Sequence, residues 1–302
     1  MSIYVEIRIR GSMDELWRRT QDPGLHERWD LRFSEIAYLP RPDETAPQRF
    51  SYATRIGFGL RIRGEGESEG SRAGANGERV SALKFWSQDA KSLILEGSGY
   101  WRYVPTSDGI RFLTWYSYRT RFGLPGGLLD AAVFRPIMGW ATAWSFDRLR
   151  LWIEKGIDPA VSGQRAVIQA VARLCIALVF LYHGLIPKLL YRDPTELAML
   201  LAAGLPTPVV DRALILIGLG EMACAGVLLA AWRPRWPLLA TAVLMLGALA
   251  GVAYSSPGTL RAAFNPVTLN LSIAALAVIG WVAGRDLPSA ARCLRQRPGG
   301  EA

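Results

Sequence analysis

Cysteine and histidine are scarce in this sequence, and their scarcity excludes several kinds of site. The 302 residues contain three cysteines, Cys175, Cys224 and Cys293, and two histidines, His26 and His183. The odd cysteine count and the lack of a CxxC pair leave no readable disulfide framework or zinc site. Two of the cysteines lie in apolar runs, where small buried hydrophobes are the default interpretation. We therefore predict no metal site.

Three further features are absent from the sequence, and each absence argues against a location or a class of function. The first seventeen residues lack an apolar core of the length that a signal peptide requires, so we expect the first half to stay in the cytoplasm. The glycines at 57–66 lie in predicted strands without a βαβ context, which argues against a dinucleotide site. The net charge of +9 is not gathered on one basic face in the first half, because charges of both signs alternate there. Nucleic acid is therefore not a predicted partner.

The second half is apolar, sparsely charged and basic. Residues 165–302 carry twelve Lys/Arg and six Asp/Glu, and four apolar stretches occur in this region. Each is close to the roughly 20 residues that cross a bilayer. The predicted spans are about 166–187, 213–232, 236–254 and 267–284. Because only His183 lies near them, a bis-histidine haem within the chain is excluded, and copper and di-iron sites lack ligands.

Loop charge predicts the orientation of these spans. With the N-terminus inside, the inner flanks hold eight arginines and the outer loops four basic residues. The inner residues are Arg165, Arg173, Arg233, Arg235, Arg285, Arg292, Arg295 and Arg297, and the outer ones are Lys188, Arg192, Arg212 and Arg261. The positive-inside rule therefore predicts a multi-pass protein of a bacterial-type inner membrane with both termini cytoplasmic. Glycines at 247 and 251 form a GxxxG pattern, and those at 218, 220 and 226 recur in span two, which predicts close helix packing.

Polar residues inside the apolar runs are the candidate intramembrane site. Glu221 lies near the middle of span two, where a carboxylate is costly unless it is protonated, paired or next to a polar cavity. A compact bundle would bring it near His183, Lys188, Asn265 and Asn270. Such a cluster would suit a proton or the polar head of a quinone, which is the one cofactor class the pattern suggests. The alternative is a set of packing hydrogen bonds that fix helix order.

The first half predicts an α+β domain. Alternating strand patterns occur at about 3–10, 32–39, 49–57, 59–68, 79–86, 92–103 and 109–121, with turn residues between them. Ser12 and Glu15 form a capping box that opens a short helix at 14–20, and a second short helix runs from Pro23 to about Trp29. A long helix is predicted at 127–155, with a kink at Pro136. We place residues 1–155 in this domain, 156–165 in a short linker, 166–286 in the membrane domain and 287–302 in a basic cytoplasmic tail.

The opening segment IYVEIRIRGSMDELWRRTQDPGLHERWD and the terminal helix 127–155 resemble the SRPBCC (START-like, helix-grip) superfamily. The resemblance implies a curved antiparallel sheet on a long C-terminal helix, with an apolar cavity between them that holds a lipid, sterol or aromatic molecule. It carries over no catalytic residue. The candidate cavity residues are Trp86, Tyr100, Trp101, Trp115, Tyr116, Phe134, Trp140 and Trp144. Ordinary core packing is the alternative for each of them, since a register error of one residue reverses the face. His26, Glu27 and Asp30 near the second short helix are candidate acid–base groups, but we interpret them as an exposed, solvated helix end.

The second half resembles the DoxX-like family. The resemblance rests on Tyr182-His183-Gly184, Pro187-Lys188, the segment PTELAMLLAAGLP at 194–206, Gly220-Glu221 and Phe264-Asn265-Pro266, and it covers about 168–284. It implies an all-α bundle of four transmembrane helices, with some relatives linked to quinone or thiol oxidoreductase systems. The missing thiol pair argues against direct disulfide chemistry.

Three functions remain open from the sequence. The first is a membrane-anchored protein that binds a hydrophobic small molecule in its soluble cavity and exchanges it with the lipid bilayer. The second is an accessory subunit of a quinone-linked membrane redox complex, with a membrane redox protein as partner. The third is a non-catalytic anchor or assembly factor. The sequence carries no assignable catalytic motif, so we do not predict an enzyme.

Overall fold

The computed structural model describes residues 2–43, 45–57, 59–74, 76–263 and 265–297. The chain divides into two compact units. One comprises Met1–Ser162 together with Asp286–Ala302, and the other comprises Gly163–Arg285. We call the first the sheet unit and the second the helical unit. Phe264 and residues 298–302, which were part of the sequence predictions, lie outside the described residues.

The sheet unit contains seven strands followed by a long helical segment. The strands are β1 (Ile3–Ile9), β2 (Glu35–Tyr38), β3 (Arg49–Gly57), β4 (Leu60–Ala73), β5 (Arg79–Trp86), β6 (Ile94–Thr106) and β7 (Gly109–Thr120). Helices α1 (Met13–Gln21) and α2 (Pro23–Trp29) lie between β1 and β2. Helices α3 (Gly123–Leu129) and α4 (Arg135–Lys155) follow β7. All seven predicted strands are therefore present, with ends that differ by a few residues.

The strands form one antiparallel sheet in the order β1-β7-β6-β5-β4-β3-β2. Alternate residues of β1, from Ile3 to Ile9, are buried on the face that packs against α4. On the same face, Phe112 of β7 stacks on Phe146 of α4 with ring centroids 4.4 Å apart. We call this the inner face. A curved antiparallel sheet gripping a long C-terminal helix is the predicted helix-grip arrangement, and the prediction is confirmed.

Four glycines on the inner face make room for large rings. Gly64 and Gly66 of β4 pair across the sheet with Tyr52 and Phe50 of β3. A Cβ atom added at Gly64 would lie 2.3 Å from the Tyr52 ring, and one at Gly66 would lie 2.3 Å from the Phe50 ring. On β6, a Cβ at position 97 would meet the Phe85 ring at 2.5 Å, and one at position 99 would meet Cβ of Tyr116 at 2.4 Å. Any larger residue would displace these rings, because interiors are close-packed.

The long helix bends differently from the prediction. It begins at Gly123 rather than 127, and the segment Asp130–Phe134 is a π-helical turn. Pro136, predicted to kink the helix, sits in the first turn of α4 instead. Proline lacks a backbone N–H and its ring crowds the preceding turn. The wider π turn ahead of it accommodates both effects, so the break precedes the proline.

The predicted ten-residue linker is wrong. Helix α4 ends at Lys155 and is capped by Gly156, which has φ +64°, and α5 begins at Pro159. Only three residues therefore lie between the two helices. Asp158 caps α5 by accepting a hydrogen bond from the Ala160 N–H at 2.8 Å. Aspartate before proline is a helix-start signal, although the same pair is also common in linkers.

The predicted tail is also corrected, because its described part belongs to the sheet unit. Ala290 and Cys293 are buried in the same core as β1 and α4. Leu294 exchanges two main-chain hydrogen bonds with Glu6, each 2.9 Å long, so it pairs with the free edge of β1. Burial raises the pKa of the Cys293 thiol to about 12, so this cysteine is a packed apolar group. We call residues 286–297 the return segment.

Asp147 of α4 anchors the return segment. Its side chain is fully buried, and it accepts hydrogen bonds from the Ser289 N–H at 2.7 Å and from Arg292 at 2.8 Å. Its other oxygen accepts a bond from Arg150 at 2.7 Å. A buried carboxylate with three donors is satisfied, and losing it would leave those donors unpaired.

The described part of the helical unit contains five α-helices. They are α5 (Pro159–His183), which starts in the sheet unit, α6 (Pro194–Ala202), α7 (Thr207–Ala230), α8 (Trp236–Ser255) and α9 (Pro266–Ala283). A second π-helical turn, Gly184–Leu190, extends α5. Four of these segments are long and apolar enough to cross a membrane: 159–190, 207–230, 236–255 and 266–283. They match the four predicted spans. Many of their apolar side chains are exposed, including Leu178, Leu216 and Val243, as lipid contact requires.

Close helix packing occurs at Gly218, one of the predicted glycines of span two, and not at the predicted GxxxG pair. A Cβ atom added at Gly247 or Gly251 would find no atom within 4 Å, so the GxxxG pattern of α8 is not a contact within this chain. Instead, a Cβ at Gly184 would lie 2.5 Å from the carbonyl oxygen of Gly218. Glycine at both positions lets the π turn and α7 approach backbone to backbone.

Arg173, which interrupts the first apolar run, has a structural role. Its side chain is fully buried and donates to the carbonyl oxygens of Leu228 and Ala231, both at 2.8 Å, and of Pro234 at 2.5 Å. These carbonyls belong to the C-terminal end of α7 and the turn after it. A cation there satisfies orphan carbonyls and complements the helix dipole.

We expect Asp147→Ala to release the return segment. Loss of hydrogen bonds to a charged group costs about 1.5–3 kcal/mol, and each 1.4 kcal/mol raises the open population about tenfold. Trypsin should then cleave at Arg292 and Arg295 at least ten times faster, as measured by intact mass of the full chain. Asp108→Ala, in an exposed ion pair, is the control and should leave cleavage unchanged. Equal cleavage of both variants would contradict the anchoring role of Asp147.

Candidate functional site

The predicted cavity aromatics divide between the two faces of the sheet. The register pairs Tyr100 with Trp115 and Trp86 with Glu96, all on the face opposite the buried residues of β1. Trp86, Tyr100 and Trp115 therefore do not line the inner face, and this part of the prediction is wrong. The reason is strand register, which the sequence pattern leaves open by one residue.

The outer face has contacts of its own. Tyr100 and Trp115 stack with ring centroids 6.0 Å apart. The Arg49 guanidinium lies 5.9 Å from the centre of the Trp86 ring. A depression of about 520 Å³ on this side is lined by Lys84, Phe85, Trp86, Glu96, Gly97, Ser98, Ser117, Tyr118 and Arg119. It is open to solvent and rimmed by charged groups.

The other predicted aromatics lie on the inner side or along the long helix. Trp101 and Tyr116 are buried on the inner face, and the Tyr116 hydroxyl is 2.9 Å from the Thr142 hydroxyl of α4. Phe134 makes an edge contact with Tyr118 at 6.1 Å. Trp144 packs against the core, and Trp140, stacked on it, is 46% exposed. Whether any of them contacts a ligand stays a prediction.

A row of partly exposed rings occupies the inner face beyond the part that α4 covers. The rings of Phe50, Tyr52 and Phe85 lie over the glycines of β4 and β6, and Tyr118 lies on the neighbouring strand. Phe33, which follows α2, contacts Tyr52 with centroids 5.6 Å apart. We call this surface the aromatic groove. Aromatic walls with a few oriented polar groups are typical of small-molecule sites.

A buried charged group closes one end of the groove. Asp30 is fully buried and accepts hydrogen bonds from Arg32, at 2.9 Å from Nε and 2.6 Å from Nη2. His26 Nε2 lies 3.0 Å from Oδ2 of the same carboxylate, the oxygen that also accepts from Nη2 of Arg32. Burial alone would raise the pKa of Asp30, but the Arg32 charge and the hydrogen bonds from Arg32 and His26 hold it well below its usual value. Asp30 is therefore ionised.

The sequence interpretation of His26 and Asp30 as a solvated helix end is wrong. The His26 side chain is 12% exposed, and that of Asp30 is 0% exposed. The i, i+4 spacing of the two residues could have predicted their contact, because it places both side chains on one face of the short helix. The sequence does not show that Trp101 lies next to His26. The two rings make an edge contact with their centroids 4.9 Å apart.

A second polar group lies near the first π turn. The Tyr118 hydroxyl donates to the buried Asp130 at 2.6 Å, and Arg135 forms an ion pair with the same carboxylate. Burial and the adjacent Asp130 carboxylate raise the pKa of Tyr118 well above its usual value. The phenol is thus a fixed hydrogen-bond donor at this end of the groove.

In the helical unit, the structure brings together two of the five predicted residues. Lys188 Nζ lies 3.1 Å from Oε2 of Glu221, at an angle outside hydrogen-bond geometry, and 3.2 Å from Oε1 of Glu196. Lys188 is 7% exposed, and Glu196 of α6 was not predicted. We call these three residues the lysine–carboxylate cluster. Two carboxyl groups that face one ammonium can share a proton between them, so the cluster suits a proton or a cation.

The remaining predicted residues make no hydrogen bond to that cluster among the described residues, although the charges of Lys188 and Glu196 act on His183. His183 makes an edge contact with Tyr182 at 5.8 Å. Asn265 caps α9 by accepting from the Thr268 N–H at 3.0 Å, a structural role. Among the described residues, no hydrogen bond joins His183, Asn265 or Asn270 to Lys188 or Glu221. No group of three His, Cys, Asp or Glu side chains in the described ranges is arranged to hold a metal ion.

The second π turn positions the lysine. Lys188 lies within Gly184–Leu190, directly after Pro187. A Cβ added at Gly218 of α7 would lie 3.0 Å from Cβ of Lys188. Glycine at this position therefore leaves space for the Lys188 side chain next to α7. Single π turns inside α-helices are often found at functional sites.

We expect Lys188 and Glu221 to be energetically coupled. Lys188→Met leaves a carboxylate in the bundle without its cation, so it should destabilise the protein by about 1–3 kcal/mol. Lys188→Met combined with Glu221→Leu should recover most of this loss. Unfolding of the full chain in mixed micelles, followed by circular dichroism, measures both values. Lys84→Met, in an exposed ion pair, is the control. Additive effects of the two cluster substitutions would show that the ammonium and carboxylate do not interact.

Comparison with known proteins assigns the helical unit to a family. The model of the DoxX-like family matches residues 177–278. The chain is also 47% identical over 184 residues to the uncharacterized membrane protein YndG of Bacillus subtilis (strain 168). The match covers 60% of this chain and 68% of the relative.

Solved structures are similar to about half of the chain, at low identity. TTHA0849 from Thermus thermophilus is 18% identical with a TM-score of 0.35, over 46% of this chain and 87% of the other. A STAR-related lipid transfer protein fragment from Xanthomonas axonopodis is 15% identical with a TM-score of 0.39, over 51% and 86%. The di-domain ARO/CYC StfQ of the steffimycin biosynthetic pathway is 15% identical with a TM-score of 0.40, over 52% of each chain.

The four apolar helices, the family match and the relative agree on the class of protein. The chain is a membrane protein that belongs to the DoxX-like family.

Proposed function

We propose that the protein binds a hydrophobic small molecule in the aromatic groove of its sheet unit and exchanges it with the bilayer that its helical unit occupies. The observation that carries this proposal is the row of partly exposed rings over a glycine floor. A monomeric domain normally buries such rings, because each would contribute about 1.5–3 kcal/mol if fully removed from water. Their partial exposure supports a bound apolar molecule on this face.

The proposed location is the inner membrane of a bacterium, with the sheet unit in the cytoplasm. Loop charge supports this orientation through the eight inner arginines. The return segment independently supports the placement of both termini on the same side of the membrane. Residues from both ends of the chain form one core, so the helical unit must deliver the chain back to the side from which it left. Four spans satisfy this requirement because the number is even.

The test compares small molecules extracted from the full-length protein and two neighbouring variants. Phe85→Lys places an ammonium among the groove rings, whereas Trp86→Lys makes the same exchange on the outer face. The three proteins are purified from native membranes in polymer-bounded discs, and the extracts are measured by mass spectrometry. We expect a hydrophobic molecule at near-equal ratio to the wild-type protein, a loss of at least tenfold in Phe85→Lys and retention in Trp86→Lys.

Two outcomes would overturn the groove proposal. One is a wild-type extract with no molecule above the level found in empty discs. The other is equal retention in both variants, which would place any bound molecule elsewhere. Trypsin resistance of the return segment serves as the folding check for Phe85→Lys, because Phe85 packs against the same core.

A second candidate function is an accessory subunit of a quinone-linked redox complex, with a membrane redox protein as partner. The specific observation in its favour is the lysine–carboxylate cluster next to a π turn. The same extraction separates the two functions. A quinone that disappears in Glu221→Gln and persists in Phe85→Lys would assign binding to the helical unit. Loss in neither variant would favour a plain anchor or assembly factor.

A further inference from the structure

The first half of the long helical segment has an exposed apolar face. Six large apolar side chains lie on it, with exposed fractions from 46% for Trp140 to 77% for Leu124. They are Leu124, Leu128, Leu129, Val133, Ile137 and Trp140, and we call them the apolar stripe. Single exposed apolar residues are ordinary on a protein surface, but a contiguous group of them marks an interaction site.

The residues that alternate with the stripe contact the sheet. The side chains of Asp130 and Phe134 both contact Tyr118 of β7, and Met138 packs against the core of the sheet unit. The apolar stripe therefore lies on the opposite side of the helical segment, away from the sheet.

The first π turn keeps the stripe continuous. Leu124 and Leu128 are four positions apart, as are Val133 and Ile137, which is the spacing of one α-helical face. Leu128 and Val133 are five positions apart, and the turn between them is π-helical. The hydrogen bonds of a π turn join residues at this separation. The π turn thus joins the two α-helical parts of the stripe into one row.

Phe122 extends the exposed apolar surface to the turn before the helix. Its φ angle is +68°, a conformation that bulky residues rarely adopt. Its ring is nevertheless 56% exposed, so burial within the chain does not explain why a large apolar residue occupies this position. Unfavourable backbone conformations of this kind cluster at functional contacts.

The stripe carries no exposed acidic group of its own. Residues 121–140 contain two arginines and one acidic residue, Asp130, which is buried and paired with Arg135. Arg295 of the return segment lies beside the same helix, where it lines a shallow depression with Ala131 and Pro136. An apolar surface with basic neighbours fits a layer of anionic lipid headgroups.

The chain keeps the sheet unit close to a bilayer. Three residues separate α4 from α5, which continues as the first apolar span. At the other end of the helical unit, α9 ends at Ala283 and the return segment begins at residue 286. Such short connections give the sheet unit a high effective concentration next to lipid, so a modest affinity for the surface is sufficient.

We propose that the apolar stripe is a membrane-docking surface, which inserts its side chains into the interfacial region of an anionic bilayer with Arg295 near the lipid phosphates. Trp140 suits this position because tryptophan rings favour the headgroup level. The stripe lies on helical backbone, so its main-chain polar groups are already paired, as contact with hydrocarbon requires. The proposal goes beyond the binding of a small molecule in the aromatic groove and does not depend on it.

Nitroxide labels on the full chain test the proposal in lipid discs of phosphatidylcholine and phosphatidylglycerol. One label is attached at Leu128→Cys in the stripe, and the control is attached at Lys84→Cys on the outer face of the sheet. Cys175 and Cys224 are replaced by alanine, whereas Cys293 is retained because it is buried and its thiol pKa is about 12. Collisions with oxygen, which partitions into lipid, are compared with collisions with a nickel chelate, which stays in water.

We expect the label at position 128 to lie about 5–10 Å inside the headgroup and acyl-chain boundary. It should collide readily with oxygen, and its collisions with the nickel chelate should be at least tenfold fewer than at position 84. Frequent collisions with both reagents would show that the stripe faces water. Few collisions with either would show that protein covers it, either a second copy or another part of this chain. Each of these two results would overturn the proposal.

Two pairs of charge substitutions test the chemistry of the partner, with the label at Val133→Cys. Leu124→Glu with Leu128→Glu places two carboxylates against an anionic surface, so we expect the label to move into water. Leu124→Lys with Leu128→Lys is the matched control. Lysine stems can lie along an apolar surface while the ammonium groups reach the phosphates, so the label should stay in the interface. Both pairs occupy exposed positions outside the core. An unchanged label in the glutamate variant would overturn the proposal.

Discussion

The main-chain pairing of Leu294 with Glu6 is the constraint on which the rest of the structure depends. It joins the last described part of the chain to the first strand, with four membrane-spanning helices between them. An odd number of spans could not satisfy it. The pairing also covers the free edge of β1, which would otherwise present unpaired N–H and C=O groups to other chains.

Buried charged side chains have different kinds of partner in the two units. In the sheet unit, Asp30, Asp130 and Asp147 are each buried, and each is paired with arginine. Such pairs contribute little net stability but are costly to break, so they fix particular arrangements of helix and sheet. In the helical unit, Arg173 uses only carbonyl oxygens, whereas Lys188 lies between two carboxylates.

The local features of the fold follow from the sequence. Strict alternation in β1 identifies its buried face, and Ser12 caps α1 as predicted, accepting from the Glu15 N–H at 3.1 Å. The four spans follow from length and hydropathy, because a bilayer imposes a minimum apolar run. The strand face and the helix cap depend on residues that are close together in the sequence. The spans depend on the bilayer, which acts on every apolar segment in the same way. Such information is present in any single segment.

The candidate site was predictable only in part, because it depends on contacts between distant segments. Trp101 and Tyr100 are adjacent, yet only Trp101 faces inward, and the register that decides this is set by pairing with β5 and β7. The burial of His26 depends in part on its ring contact with Trp101, which lies 75 positions away in the sequence. No local sequence pattern predicts this contact. Lys188 and Glu221 were recognisable as unusual in an apolar run, whereas Glu196 was not, because it lies in the connection between spans.

The return segment also has a consequence for how the protein is made. An N-terminal domain usually folds as it leaves the ribosome, before the rest of the chain exists. Here Ala290 and Cys293, which complete the core of the sheet unit, are synthesised after all four spans. The sheet unit therefore reaches its final state only when membrane insertion has succeeded and the chain has come back. A chain that stalls in the bilayer therefore keeps an unfinished domain, with the core around Ala290 and Cys293 left open.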